Sequence, residues 1–468
     1  MSQDPDIHFD FNYLMFDHLG EENGVTPERV AALEPALKKI HQGLRDLQRL
    51  GQLPFLDLPY HEEEARRLLQ EGRKVREKFD DVVVFGIGGS ALGLSCLEQA
   101  LMPFYYKYFS KKERKGPRLW VCDNVDPTEW QALRNLIHPK KTFFIVISKS
   151  GGTTETMAAY LYFLKQLKNA VGPKYNKQIA FITDPFKGVL RQLAQEEGIA
   201  TYKIHPGVGG RYSVLTPVGL FPAACMGMDI LSLLAGARRM EEKCRHPDVW
   251  MNPALLSAAL HYLYFREKGR PIRVVMSYSE SLSLYPAWFF QLWAESLGKR
   301  HDLSGKEICI GSTPLEAVGA VDQHSRLQLF LEGPPDKVVD FIGVMKHPKD
   351  LTIPSLYATP PELVFPRRQT AGDLLTIERE ATERALRRKG RPSMLLLLPR
   401  VSPHALGQLF LWAELETVMT GELYNINPFD QPGVELIKKY IHGALGKKGF
   451  EEYRKEMEGG DKKKEYIL

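Results

Sequence analysis

Residues 143–156 read FFIVISKSGGTTET, from Phe143 to Thr156, and this stretch decides the fold. Phe143 to Ile147 is a short apolar run with the length and bulk of a strand buried on both faces, as in a parallel sheet. It stops at nine residues that hold two serines, two glycines and three threonines, and a helical pattern begins at Met157. Strand, tight turn and helix start therefore follow one another. Gly151 and Gly152 let the backbone turn its N–H groups toward one point, where the hydroxyls of Ser148, Ser150 and Thr153 can converge. A helix N-terminus adds partial positive charge, so the expected guest is a phosphate. A capped helix start needs one hydroxyl; five beside two glycines favour an anion site.

The rest of the chain limits what such a site can serve. With 468 residues, 44% of them hydrophobic, the chain is long enough for two α/β units. Lysine and arginine number 62 against 57 acidic residues, a net charge of +5. That excess suits an anionic small molecule and carries no nucleic-acid signature. The five cysteines (Cys96, Cys122, Cys225, Cys244, Cys309) are odd in number, widely spaced and without a CxxC pair. They argue for a reducing compartment and against a disulfide framework or zinc cluster. There is no basic-then-apolar leader pattern, and no apolar run approaches the roughly 18 residues of a membrane span. A soluble cytoplasmic protein is expected.

Outward from the central turn, the β-turn-helix order repeats. A helix is predicted over Pro27–Leu50 and a charged one before Val82–Phe85, the next buried strand. That strand ends in Gly86-Ile-Gly-Gly-Ser-Ala-Leu-Gly93. Further strands fit Leu119–Cys122, Gln178–Thr183, Ile272–Met276, Val338–Val344 and Ser393–Leu398, with helices at Gly372–Arg388 and His404–Met419. Strands alternating with helices imply parallel sheets covered on both faces. The divisions predicted are an N-terminal helical arm (1–45), a first α/β domain with the phosphate cradle (46–228), a second domain (229–425), and a C-terminal helix with a charged tail (426–468).

The turn at Gly86 also matches G-x-G-x-x-A, the dinucleotide fingerprint, with Asp123 ending the next strand where a ribose-binding acid would sit. Alone, that supports a nicotinamide enzyme. The second, hydroxyl-rich turn shifts the balance, because two turns at one sheet edge can embrace a single phosphorylated sugar. Gly88, Gly89 and Ser90 would line one side and Ser148 to Thr153 the other. The alternative for Gly89 and Gly93 is close helix packing, favoured for Gly93.

Three more stretches bear chemistry. In His205-Pro-Gly-Val-Gly-Gly-Arg-Tyr-Ser213, small backbone lies beside Arg211, which could clamp a phosphate or steady an oxyanion. Leu284–Lys299 reads as a helix apolar nearly all round, with Gln291 and Glu295 on one face. A carboxylate so desolvated gains proton affinity and becomes a candidate base; the alternative is an ion pair to Lys299. Val321-Asp-Gln-His-Ser325 offers His324, able to exchange protons near neutral pH. In the C-terminal helix, Lys438 lies along the apolar stripe Val434, Ile437, Ile441 and Leu445, while Glu435, Lys439 and His442 face away. A lysine in that stripe would be buried against an anion or would snorkel at its edge.

Taken together, GIGGSALG, SKSGGTTET, GVGGRYS, QLWAESLGK, VDQHS and FDQPGVELIKK, in this order from about Val82 to Ile441, resemble the bacterial-type glucose-6-phosphate isomerase family. The resemblance implies two sugar-isomerase (SIS) domains, each a parallel five-stranded sheet between helices, and a C-terminal helix that completes the site. It implies a hexose 6-phosphate substrate and a homodimer whose active sites are shared, with His324 supplied by the neighbouring subunit. By motif, Ser148, Ser150 and Thr153 resemble the phosphate binders, with Lys149 between them and Gly88, Gly89 and Ser90 lining the sugar pocket. Glu295 resembles the base working between C1 and C2, and Arg211 the arginine that stabilises the enediolate. His324 and Lys438 resemble the ring-opening pair, and Gln291 and Gln431 position the substrate. One departure is Gly152, where the family has a threonine.

The residues agree with that chemistry. An aldose and its ketose differ in the place of one proton, so no redox carrier or metal is needed. What is needed is a phosphate anchor, one base and a cation near the oxygen that gains charge. Two other classes stay open at this level: a non-catalytic sugar-phosphate sensor, which would have no reason to shelter Glu295, and a nicotinamide dehydrogenase, which would act only with its cofactor.

Overall fold

The computed structural model describes residues 5–366, 368–460 and 463–467. In chain order the strands are β1 (His8–Asp10), β2 (Asp81–Phe85), β3 (Arg118–Cys122), β4 (Thr142–Ile147), β5 (Ile179–Thr183), β6 (Ala200–Lys203), β7 (Ile272–Ser277), β8 (Lys299–His301), β9 (Glu307–Ile310), β10 (Thr313–Val318), β11 (Lys337–Val344) and β12 (Ser393–Leu398). The apolar run quoted above is β4, and every one of its residues is buried. It occupies the middle of a five-stranded sheet ordered β3-β2-β4-β5-β6, parallel throughout.

That order fixes where a ligand can bind. The sheet grows one way from β2 to β3 and the other way from β4 onward, so the chain reverses direction between β2 and β4. Loops leaving the C-terminal ends of two such strands diverge to opposite faces and leave a crevice between them. Phe85 of β2 lies level with Val146 of β4. The turns at 86–91 and 148–153 therefore leave the same sheet edge at the same height.

The second sheet is ordered β1-β12-β11-β7-β10. Four of its strands are parallel, and β1 from the N-terminal arm adds antiparallel to β12. Here too the direction reverses beside the first strand, β7, and the helix that follows β7 is Tyr285–Leu297. The N-terminal region is thus a strand as well as the expected helix, which runs Pro27–Arg49 and is capped by the Thr26 hydroxyl. Strands β1, β6 and β10 carry little sequence signal because each is a short or proline-bearing edge. The charged tail after Gly446 holds a further helix, Glu451–Glu458, packed on the helix Glu435–Ala444.

One continuous apolar core runs from Ile7 to Ile426 and joins both sheets. Beneath the helix Tyr285–Leu297 lies a fully buried charged cluster. Arg273 pairs with Asp340 at 2.6 Å and Glu416 at 3.0 Å, while its guanidinium stacks 4.3 Å from the Trp293 ring. Removing one member would strand a charge in a dry interior; intact, the cluster fixes how that helix is rotated. Among the described residues no helix is long and apolar enough to cross a membrane.

Candidate active site

The hydroxyl turn is built as a cradle. Ser148 Oγ lies 2.9 Å from Thr153 Oγ1 and accepts the Gly151 amide at 3.1 Å, and Ser150 Oγ accepts the Gly152 amide at 3.2 Å. Thr153 stands at the N-cap of the helix Thr154–Val171 without capping it by its side chain. The capping role is therefore not what holds these residues, and the dipole end of an 18-residue helix stays open beside them. Gly151 has φ +68°, and a Cβ there would press on the Leu190 amide at 2.7 Å. Gly152 is exposed, and its amide is taken up by the Ser150 hydroxyl.

The first glycine turn faces inward too. Gly88 has φ +57°, and a Cβ on it would meet Gln291 Nε2 at 2.8 Å. Gly89 packs directly on the backbone of Gly210 and Arg211, and the Ser213 hydroxyl donates to the carbonyls of both Gly89 and Gly210. Close packing thus accounts for Gly89, as Val214 does for Gly93. Ser90 closes the short turn Gly88–Ser90 and is half-buried. The space beside Gly88 and Gly89 where a pyrophosphate would approach is filled by the chain itself.

Gln291 brings the first glycine turn against the helix Tyr285–Leu297. It donates to Glu295 Oε2 at 3.1 Å, one helical turn further on, while Arg211 Nη1 pairs with Glu295 Oε1 at 3.1 Å. Both carboxylate oxygens are held. The helix Tyr285–Leu297 is apolar nearly all round but not buried all round: positions 287, 290, 291, 294 and 295 form an open face at helical spacing, and the Glu295 side chain is 26% exposed. The expected desolvated carboxylate is instead an ion-paired one at the mouth of the crevice. The expected alternative partner, Lys299, bonds the carbonyls of Glu295 and Ser296 rather than the carboxylate, and lies 3.6 Å from Asp430. Burial, then the nearby Arg211 charge, holds the Lys299 ammonium below its usual range.

Arg211 is the hub. It is 3% exposed. Its Nε donates to Ser296 Oγ at 2.7 Å, Nη1 to Gln431 Oε1 at 3.1 Å, and Nη2 to the carbonyls of Pro428 at 2.7 Å and Asp430 at 3.0 Å. One planar fork therefore ties the helix Tyr285–Leu297 to the segment before the C-terminal helix. Three residues before it, the Val208 carbonyl accepts Lys149 Nζ at 3.0 Å, which links the Arg211 loop to the cradle.

Two expected members stand apart. His324 ends the turn Val321–Gln323, is exposed, and within the described residues makes no side-chain bond to Glu295. Lys438 is not buried: its side chain is 53% exposed and pairs with Glu435 at 2.6 Å, on the side expected to face away. The stripe it follows is open as well, with Val434, Ile437 and Leu445 exposed. The reason is that Glu435–Ala444 packs on the following helix, at Gly443, rather than on the body of the chain.

A profile of the phosphoglucose isomerase family matches residues 70–452. The chain belongs to that family. It is 42% identical over 470 aligned residues to the glucose-6-phosphate isomerase of Carboxydothermus hydrogenoformans, covering 99% of each. Among solved structures it is similar to a hypothetical protein of Thermus thermophilus, with a TM-score of 0.83 and 35% identity over 94% of this chain and 99% of that one. It also resembles a glucose-6-phosphate isomerase from Chlamydia trachomatis, with a TM-score of 0.73 and 26% identity over 85% of this chain and 76% of that one.

For a phosphoglucose isomerase family chain, the sequence reading missed the partners that fix Arg211. Ser296 is fully buried, and a small polar residue inside an apolar helix was the available signal. The Pro428 and Asp430 carbonyls leave none, because any residue supplies a carbonyl.

Proposed function

We propose that the chain interconverts D-glucose 6-phosphate and D-fructose 6-phosphate through a cis-enediolate, the isomerisation of glycolysis and gluconeogenesis. The observation that carries this is Glu295: its carboxylate is held by Arg211 on one oxygen and by Gln291 on the other, and Gln291 abuts Gly88, whose turn leaves the same sheet edge as the hydroxyl cradle. Ser148, Ser150 and Thr153 hold the phosphate beside the open N-terminus of the helix Thr154–Val171, with Lys149 adding charge. Gly88 and Ser90 border the sugar, and Gln291 and Gln431 orient it.

In the open-chain aldose, Glu295 takes the proton from C2. The electron pair of that C–H bond becomes the C1–C2 double bond, and the C1 carbonyl oxygen takes the negative charge. Arg211, paired with Glu295, is the cation that lowers the energy of that oxygen. Glu295 returns the proton to C1 while the O2 proton moves to O1, leaving the C2 ketone. Lys438 and His324 serve ring opening, one donating to the ring oxygen and the other accepting from the C1 hydroxyl.

Incubation of the purified chain with glucose 6-phosphate in deuterated water and no added cofactor tests the reaction. Fructose 6-phosphate forms, and recovered glucose 6-phosphate carries deuterium at C2. Ketose formation that requires a nicotinamide cofactor, or the absence of both product and label, contradicts the proposal.

The exposure of His324 and Lys438, and the exposed stripe on Glu435–Ala444, support a homodimer in which His324 of one subunit completes the neighbour's site. Mixing subunits of inactive Glu295→Gln and inactive His324→Ala checks this. Half of the mixed dimers are heterodimers, each with one intact site, so about a quarter of the parental activity returns. No recovery on exchange means that each subunit uses its own histidine. Four buried cysteines, and none of the five in a disulfide, support a reducing, cytoplasmic setting.

A further inference from the structure

Next to the Arg211 loop, but outside the reacting centre, the chain assembles two imidazoles and a carboxylate. His61 immediately precedes the helix Glu62–Lys78, and Glu64 lies three residues on, on the same face. His205 comes from the loop after β6. Glu64 Oε2 lies 2.8 Å from His205 Nε2 and 3.8 Å from His61 Nδ1, and the two rings stand 4.8 Å apart. All three donor atoms lie within 4.8 Å of one another. Bonds of 2.0–2.1 Å in a tetrahedral zinc site put ligand atoms about 3.3 Å apart, so small side-chain rotations would close the set.

From this geometry we infer that His61 Nδ1, Glu64 Oε2 and His205 Nε2 form a binding site for a borderline divalent transition metal of the Zn2+ type. Three features support it. The donor set, two imidazoles and one carboxylate, suits zinc and leaves a fourth position for water. The His61 ring is free for the task, since it does not cap the helix whose N-cap position it holds. Entry is open, because Glu64 also lines a groove of about 680 Å³ with Arg67, Thr183, Arg191 and Lys203. Lys203 Nζ opposes a cation, yet it lies 3.7 Å from the other carboxylate oxygen, Oε1, and leaves Oε2 to the metal. Coordination would clamp the helix Glu62–Lys78 to the start of the loop that carries the Val208 carbonyl and Arg211. Metal occupancy therefore stiffens the link between cradle and hub without touching the substrate.

The test titrates the full-length, chelator-treated chain with Co2+, followed by its visible absorption, and then displaces it with Zn2+. One Co2+ binds per chain with tetrahedral bands, and one equivalent of Zn2+ removes them. Glu64→Gln and His205→Ala each weaken binding by roughly tenfold or more, whereas His301→Ala, an exposed histidine elsewhere, changes nothing. Zn2+ also raises the melting temperature of the parent but not of Glu64→Gln. Glutamine keeps the hydrogen bond to His205, so this variant decides the matter even where His205→Ala fails to fold, and circular dichroism in chelator identifies that case. Equal Co2+ affinity in the parent and Glu64→Gln, or a loss of binding in His301→Ala, overturns the site.

Discussion

Replacing Glu295 with glutamine lowers kcat by about 10²–10⁴-fold and leaves KM for glucose 6-phosphate nearly unchanged, because a positioned base acts in the transition state and not in binding. The substitution keeps the shape of the side chain. Arg211 retains its bonds to Ser296, Gln431 and the carbonyls of Pro428 and Asp430, so the site stays assembled. Circular dichroism should match the parent, while denaturant unfolding shows a loss of stability from the broken Arg211–Glu295 ion pair. Steady-state kinetics supply the decisive number, and deuterium entry at C2 should fall in step with kcat. A variant within tenfold of the parent would remove Glu295 from the mechanism.

The second large effect is expected at Arg211. Arg211→Lys keeps a positive charge but replaces a planar fork of five donors by a point charge. It cannot at once reach Ser296, Gln431, Glu295, Pro428 and Asp430. The buried Pro428 carbonyl left without its donor costs about 1–3 kcal/mol, and the Asp430 carbonyl and the Glu295 carboxylate lose a partner as well. The expected outcome is a loss of roughly 3 kcal/mol or more in unfolding free energy, measured in urea, together with a fall in kcat of about 10²–10³-fold. Lysine therefore fails to rescue, which a purely electrostatic role would not predict. Parental stability and turnover in Arg211→Lys would contradict the hub.

Much of this was legible in the chain. The apolar run Phe143–Ile147 and the glycine turns at 86 and 151 announce a parallel sheet and its ligand edge, since a strand buried on both faces has few other sequence patterns. Gln291 and Glu295 were readable as one face because helical spacing is geometric. What escaped has equally physical causes. The edge strand β6 is half-exposed and four residues long, and β10 begins Thr-Pro, so neither carries the periodicity of a buried strand. The carbonyl partners of Arg211 depend on backbone path and on no side chain. Lys438 was misplaced because an apolar stripe in sequence does not say whether the rest of the chain packs on it, and here Val434, Ile437 and Leu445 stay exposed.

Crystals soaked with fructose 6-phosphate test the central claim most directly. The account requires the phosphate against Ser148, Ser150 and Thr153, with C1 and C2 about 3–3.5 Å from the Glu295 carboxylate. A phosphate bound elsewhere, or Glu295 turned away from C1 and C2, would contradict it.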